Sequence, residues 1–504
     1  MQRAAPRLWG AAASWRRHLA TGVTSASRGR SSDGPASVAA LARSGAGAYV
    51  GGGGQPGAPG AAPLVVHNPY TGGRVATLSD GGAPAAAAAT AAAAGAAAAW
   101  AATPTADRAA AVGRWADALD AAAGDLAAVL VAEGGKTLAD AAAEVAYATS
   151  YLRYYATAAA AAHVDAVTPI DLSDGGGGTG VVTKEPVGVV AAITPWNFPL
   201  AMLARKVAPA VLAGCTVVAK PAAETPLSAL ALARLAPLPP GVVNVVATAD
   251  AAAVGDTWMA AGAVRKVTFT GSTGVGVGLA RAAAGTGKRV SLELGGLAPF
   301  IVTADADLPA AVGGLLAARL RCSGQTCISP GRVYVHRSVV GAFTSALAEG
   351  LAAAAAPGDP AVEPPDGATR VGPLIHSGAV HKVQALIRDA LDGGATLVTG
   401  GTVVPAADSG GDAGHVVTPA LLTGVTDRMR LFREEAFGPV FPLSPFDTLE
   451  EVVGRANSLP VGLAAVALSD ARVPFGGVRL SGVGREGGLP GLDPYLELKY
   501  TLLG

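Results

Sequence analysis

The most regular pattern of apolar and polar positions lies between residues 181 and 284. Residues 187–193 form a valine-rich apolar run of the kind shown by a parallel strand buried on both faces. After it, 200–212 reads as a helix, 216–219 as a strand, 227–235 as a helix and 242–246 as a strand. The alternation repeats with 267–269 as strand and 275–284 as helix, which predicts a doubly wound α/β sheet. Upstream, 64–66 and 181–183 read as strands, the second following a glycine run at 175–178. The alanine-rich stretches 85–102 and 107–132 predict helices, because alanine has the highest helix propensity and Trp100, Trp115 and Leu119 supply packing bulk. A second α/β series begins after Pro299 and runs through 333–335, 397–398 and 431–441. Residues 37–63, rich in Gly, Ala and Pro, read as an arm leading into the first strand, and no internal repeat is present.

Composition narrows this picture. At 504 residues the chain is long enough for two or three domains at roughly 150 residues each. Charged residues are 15%, below the roughly 25% usual for soluble domains. Gly 68 and Pro 35 stay short of the roughly 25–30% share that marks a disordered chain, so a folded protein is expected. The net charge of zero hides an asymmetry. Arg3, Arg7, Arg16, Arg17, Arg28 and Arg30 precede the first acid, Asp33; the other 31 basic residues face 37 acidic ones, a formal charge of −6. Leu8, Ala12, Trp15 and Leu19 share a helical face away from Arg3, Arg7 and Arg17, and serines follow. An Arg- and Ser-rich, acid-free amphipathic start predicts a transit peptide over 1–35 and a mitochondrial matrix address, with the chloroplast as the alternative. The acidic remainder is no nucleic-acid footprint. Residues 85–100 are too weakly apolar to suggest a membrane span. Cys215, Cys322 and Cys327 are too few for a disulfide framework. His376 and His381 are joined by no ligand cluster, so no metal is expected.

The chemistry rests on a few residues. Gly271, Gly274, Gly276 and Gly278 do not form a GxGxxG fingerprint. Gly271-Ser272-Thr273 nevertheless lies between a strand and a helix start, where free amides hold a pyrophosphate well; close packing of small residues explains the glycines equally. Cys327 is a candidate nucleophile, although a lone cysteine is more often a small buried apolar residue. Glu293, in an apolar and glycine-rich setting, is a candidate acid or base, since burial raises a carboxyl pKa toward useful values. Asn197 follows a buried strand, where its amide suits an oxyanion or caps a loop.

Taken in order, Thr194-Pro195-Trp196-Asn197-Phe198-Pro199, Lys220-Pro221, Phe269-Thr270-Gly271-Ser272, Glu293-Leu294-Gly295-Gly296, Gly324-Gln325-Thr326-Cys327, Glu435-Ala436-Phe437-Gly438-Pro439 and Pro474-Phe475-Gly476-Gly477 resemble the aldehyde dehydrogenase superfamily from about residue 47 to 504. The resemblance implies a Rossmann-type NAD(P)-binding domain (36–165 and 185–295), an α/β catalytic domain (296–485) and a small β oligomerisation element (166–184 and 486–504) in a homodimer or homotetramer. It implies that Cys327 attacks an aldehyde, that Asn197 and the Cys327 amide hold the oxyanion, that hydride passes to NAD or NADP, and that Glu293 activates water against the thioester. It places Thr194, Pro195, Trp196, Lys220, Ala223, Gly271, Ser272, Val275, Leu294, Glu435 and Phe437 at the cofactor. Arg205 and Arg321 match the positions that hold the substrate carboxylate in the succinate-semialdehyde branch, whose members yield succinate in γ-aminobutyrate breakdown. A rival semialdehyde is glutarate semialdehyde, and a structural pair of salt bridges is the other reading of the arginines.

The chain also departs from that family. Ala223 stands where NAD-preferring members usually carry a Glu for the adenosine ribose, which makes NADP acceptable. Thr248 replaces a usual Gly after 245–246, and Ser329 stands where many relatives have a second Cys. Only eight residues, 466–473, occupy the place of a helix and a strand, so about one crossover unit is expected to be missing. A truncated, inactive paralogue is the consequent alternative.

Overall fold

The valine-rich runs become the centre of the larger sheet. The structure, a computed structural model, describes residues 45–159, 162, 164–171, 179–362, 369–404, 415–465 and 470–503. Five parallel strands, β1 (Val189–Ile193), β2 (Thr216–Lys220), β3 (Val243–Val246), β4 (Val264–Thr270) and β5 (Arg289–Glu293), lie in the order β3-β2-β1-β4-β5. Every residue of β1, β2 and β3 is buried, which is why these strands read as continuous apolar runs rather than alternating ones. Strand order reverses between β1 and β4, the switch point at which such sheets open a crevice at their carboxyl ends. Register aligns those ends, pairing Ile193 with Lys220 and with Phe269, and Thr270 with Glu293.

Four helices matter for the site: α1 (Leu138–Ala158), α2 (Pro199–Ala213), α3 (Thr273–Ala284) and α4 (Ser377–Asp392). All fifteen residues of α2 are buried, including Arg205 and Lys206. A second sheet takes the strands Ala298–Val302, Pro330–His336, Val440–Phe446, Ala420–Thr423 and Thr396–Thr399 in that spatial order, with only the last antiparallel. A three-stranded antiparallel sheet joins Leu496–Leu503 to Thr179–Pro186 over eight residue pairs, and Thr179–Pro186 to Val167–Asp171. This is the mixed α/β architecture expected.

Several sequence expectations need correction. The arm at 37–63 supplies two edge strands, Ala48–Val50 and Gly53–Gln55, antiparallel in the large sheet, with Ala48 opposite Val246. Gly51 and Gly52 turn this hairpin at φ 60° and 90°, a conformation that glycine adopts without strain. The stretch 107–132 is two helices, Thr105–Ala121 and Ala123–Gly134, parted at Ala122 with ψ 11°. Residues 431–441 are not one element; a 3₁₀ turn at Arg430–Phe432 precedes the strand Val440–Phe446. Helix α1 was not foreseen, although Thr137 accepts a capping hydrogen bond from the Asp140 amide at its start, a legible signal.

Helix Gly82–Ala102 has the length and composition of a membrane span. Instead it lies against the sheet, where Trp100 Nε1 donates to the Val211 carbonyl and Trp258 Nε1 to that of Ala86. The leader 1–35 and the glycine run 175–178 fall outside the described residues, as do 466–469 of the shortened segment. Among the described residues no α-helix lies between Ala456 and the 3₁₀ turn at Leu489–Gly491.

Candidate active site

The carboxyl ends of β1, β4 and β5 lead directly into Pro195–Asn197, Gly271–Ser272 and Leu294–Gly295. Together with the loop before Pro330–His336, these segments line a cavity of about 320 Å³. Cys327, Glu293, Asn197, Arg205, Arg321, Pro195, Trp196, Gly271, Ser272, Leu294, Glu435 and Phe437 all line it. Thr194, Lys220, Ala223 and Val275 do not. Lys220 ends β2 with Nζ donating to the Pro221 carbonyl, Thr194 is buried beside it through a backbone bond to Lys220, and Val275 is exposed on α3.

Burial sets the titration of the reactive groups. Cys327 is partly buried in the cavity wall, and burial, reinforced by the Glu435 carboxyl, pushes its thiol up to about 12. Glu293 is 2% exposed and both its oxygens lack hydrogen-bond partners. Burial raises its pKa to about 8, and the Glu486 charge adds to the rise. A carboxyl in this state is a weak acid near neutrality and a competent proton acceptor just above it. Burial likewise lifts Glu435 to about 7.

Asn197 Nδ2 spends one proton on the Gln325 carbonyl at 3.0 Å, and its Oδ1 accepts from the Phe198 amide at 3.1 Å. The second Nδ2 proton is left for an oxygen in the cavity. Trp196 and Phe437 pack edge to face at 5.4 Å, with Phe437 in a left-handed conformation at φ 53°.

The two arginines differ. Arg205 Nε lies 2.5 Å from Glu486 Oε2, and its guanidinium covers the Phe475 ring. Burial opposes the Glu486 charge, but Arg205 and Lys206 beside it hold that carboxyl below its ordinary value. Arg205 thus shares the Glu486 carboxylate with Lys206 in a buried cluster while also lining the cavity. Arg321 stacks over Phe198 at 4.8 Å and has no acidic partner within salt-bridge distance among the described residues. Its guanidinium lines the cavity.

Sequence reasoning passed over Tyr147, Met202 and Lys382, and weighed His376 only as a metal ligand; all four also line the cavity. Tyr147 belongs to the unforeseen α1; His376 and Lys382 come from the start of α4, whose first turn is capped by His376 Nδ1 accepting from the Ala379 amide.

The residues present fit a nicotinamide dinucleotide. Glu435 Oε1 and Thr270 Oγ1 are buried without partners where ribose or amide donors would satisfy them. Ser272 stands at the N-terminus of α3 over the switch point, where amides favour a pyrophosphate. On α3, a Cβ at Gly276 would come 2.3 Å from Leu294 Cδ2, so this glycine serves close helix–strand packing. No group of three or more metal-ligating side chains occurs among the described residues.

A doubly wound sheet whose switch point faces a thiol, an unpartnered carboxyl and a free helix terminus is the arrangement of a nucleotide-dependent oxidoreductase acting through cysteine. Comparison with known proteins makes this specific. The aldehyde dehydrogenase family model matches residues 58–472, and the chain belongs to that family. It is 41% identical to a mitochondrial succinate-semialdehyde dehydrogenase of Arabidopsis thaliana, over 88% of this chain and 86% of that protein. It is 40% identical to a 3-sulfolactaldehyde dehydrogenase of Pseudomonas putida, over 88% and 93%. A crystal structure of succinate-semialdehyde dehydrogenase from Burkholderia pseudomallei superposes with a TM-score of 0.85 at 41% identity, covering 91% of this chain and 98% of that one. The protein is an NAD(P)-dependent aldehyde dehydrogenase.

Proposed function

We propose that this enzyme oxidises succinate semialdehyde to succinate. The observation that carries the substrate class is Arg321, a guanidinium without an acidic partner on the wall that also holds Cys327. Such a fork binds a carboxylate in two parallel hydrogen bonds and selects an aldehyde with a distal acid over a neutral one. The names of the relatives agree in kind, since succinate semialdehyde and sulfolactaldehyde both carry an anionic group beside the aldehyde. Arg205 supports the pocket from behind through Glu486 rather than as an equal partner in a clamp.

In this reading Cys327 attacks the aldehyde carbon, its proton leaving to the solvent-connected cavity. Asn197 Nδ2 and the Cys327 amide donate to the oxygen that becomes negative. The nicotinamide, when bound, supplies the acceptor for the hydride that leaves the substrate carbon. Glu293 takes a proton from water as that water attacks the thioester; the C–S bond breaks to release the carboxylic acid, and the proton held by Glu293 passes to the departing sulfur, restoring the thiol and the carboxylate. Glu435 would hold the nicotinamide ribose, Phe437 and Trp196 would flank the nicotinamide end, and Ser272 would receive the pyrophosphate. Lys220 and Ala223 lie toward the adenosine end, where the absence of an acid at 223 leaves room for NADP as well as NAD.

The same reading assigns the nucleotide domain to 36–165 and 185–295, the catalytic domain to 296–485, and assembly of a homo-oligomer to 166–184 with 486–504. Relatives named as mitochondrial, together with the acid-free arginine-rich start, support a mitochondrial address.

Steady-state assays with succinate semialdehyde, glutarate semialdehyde and butanal, each with NAD and NADP, test the proposal. Arg321→Ala is expected to lower kcat/KM for succinate semialdehyde by about 10–100-fold while changing that for butanal by less than about threefold. Equal losses on both aldehydes would refute the carboxylate assignment. Absence of turnover on every aldehyde would favour an inactive truncated form, consistent with the shortened segment at 466–473.

A further inference from the structure

The loop that delivers Cys327 is strained. Cys322, Ser323 and Gly324 take left-handed conformations in succession, with φ of 49°, 54° and 78°. For the first two, which carry a Cβ, this conformation is disfavoured and persists only where the surroundings fix it. The fixing contacts can be named. Cys322 donates its amide to Asp140 Oδ2 at 2.9 Å, and Ser323 Oγ donates to the Gly372 carbonyl at 2.9 Å. Gln325 Nε2 returns to the Cys322 carbonyl at 3.1 Å.

Asp140 sits in the first turn of α1, and one turn further along the same helix is Glu144. Glu144 Oε1 accepts from the Leu200 and Ala201 amides at 3.0 and 3.2 Å, closing the N-terminus of α2 immediately after Asn197. Glu144 also pairs with Lys136, whose Nζ donates to the Asn197 carbonyl at 2.7 Å. The Asn197 side chain completes the ring by reaching the Gln325 carbonyl. None of Lys136, Asp140 and Glu144 lines the cavity.

We propose that Asp140, with Glu144 and Lys136, forms a positioning device that holds the nucleophile loop and the oxyanion-donor loop at a fixed mutual distance. One rigid helix start grips both loops, so thiolate and amide keep their relation when substrate and cofactor enter. This inference rests on the reading of Cys327 as nucleophile. A misplacement of about 1 Å between such groups costs on the order of 100-fold in rate.

The test uses the full-length enzyme and p-nitrophenyl acetate, whose burst of p-nitrophenolate reads acylation of the thiol without aldehyde or cofactor; Cys327→Ala is the control. Asp140→Ala is expected to slow the burst by about 10–100-fold while the KM for cofactor stays within about twofold. Asp140→Asn, which keeps an acceptor oxygen in place, is expected to recover most of the loss. In a Cys322→Gly background, which removes the left-handed penalty and guards against poor folding of the single variant, loss of Asp140 is expected to cost less than about threefold. A burst within about twofold of the wild type in Asp140→Ala overturns the proposal, as does an Asp140→Asn variant as slow as the alanine one, or a double variant as slow as the single. Ester hydrolysis by the wild type no faster than by Cys327→Ala sinks the nucleophile assignment itself, and this inference with it.

Discussion

Glu293 ends strand β5 with both oxygens unpartnered, at a place where a residue kept for stability alone would have acquired hydrogen bonds. Burial raises its pKa to about 8, and the sign of two effects follows. As the base that activates water it works ionised, so deacylation in the wild type is expected to rise with pH through about 8. Glu293→Gln is expected to keep acylation while steady-state turnover drops by about 100-fold or more, with the pH dependence lost, as read by burst and steady-state kinetics. For stability, a carboxyl whose folded pKa is raised holds its proton longer in the folded state. Its contribution is complete below the unfolded value of about 4.3 and is lost as pH rises through the folded value. Glu293→Gln is therefore expected to melt higher than the wild type at pH 8 by at least about 2 °C, the gap closing toward pH 4 in thermal scans.

Helix α3 comes close to the residue that follows strand β5 where Gly276 packs against Leu294. The contact fixes how near the α3 N-terminus, with Ser272, stands to the switch point. Gly276→Ala forces the side chain of the buried Leu294 to move or the helix to lift. The KM for cofactor is expected to rise about 3–10-fold with kcat changed less, which kinetics at saturating aldehyde would show. This element was legible in advance: Thr270-Gly271-Ser272 sits between an apolar strand and a glycine-spaced helix, and strand, turn and helix are all local. Helix α1 was not read, since its alanine-rich start resembles its neighbours and its worth lies in partners far along the chain. Asp140 meets Cys322 across 182 positions, and Glu144 meets Leu200 across 56.

At the scale of the whole molecule, the three-stranded sheet leaves Leu498, Tyr500 and Leu502, alternate residues on one face of its last strand, exposed, Leu498 by 75%. An apolar sheet face of this kind supports the assignment of 166–184 and 486–504 to assembly. Leu498→Arg with Leu502→Arg is expected to reduce the molar mass seen by light scattering to that of a smaller assembly; an unchanged mass would place the subunit contact elsewhere. What the sequence determined by itself was the alternation of strands and helices from residue 187 to 246 and again from 267 to 284, with the helix Ala251–Ala260 between them passed over, and the identities of Cys327, Glu293 and Asn197 as candidates. Both are carried by short segments whose pattern or motif needs no distant partner. Only the tertiary structure showed that Arg205 meets Glu486 while Arg321 meets no acid among the described residues, because the first pairing joins positions 281 apart. It also decided that the arm is part of the sheet and that the nucleophile loop is braced by α1. Such contacts depend on which buried charges and strained backbones meet once the chain has closed, and no local pattern encodes that meeting.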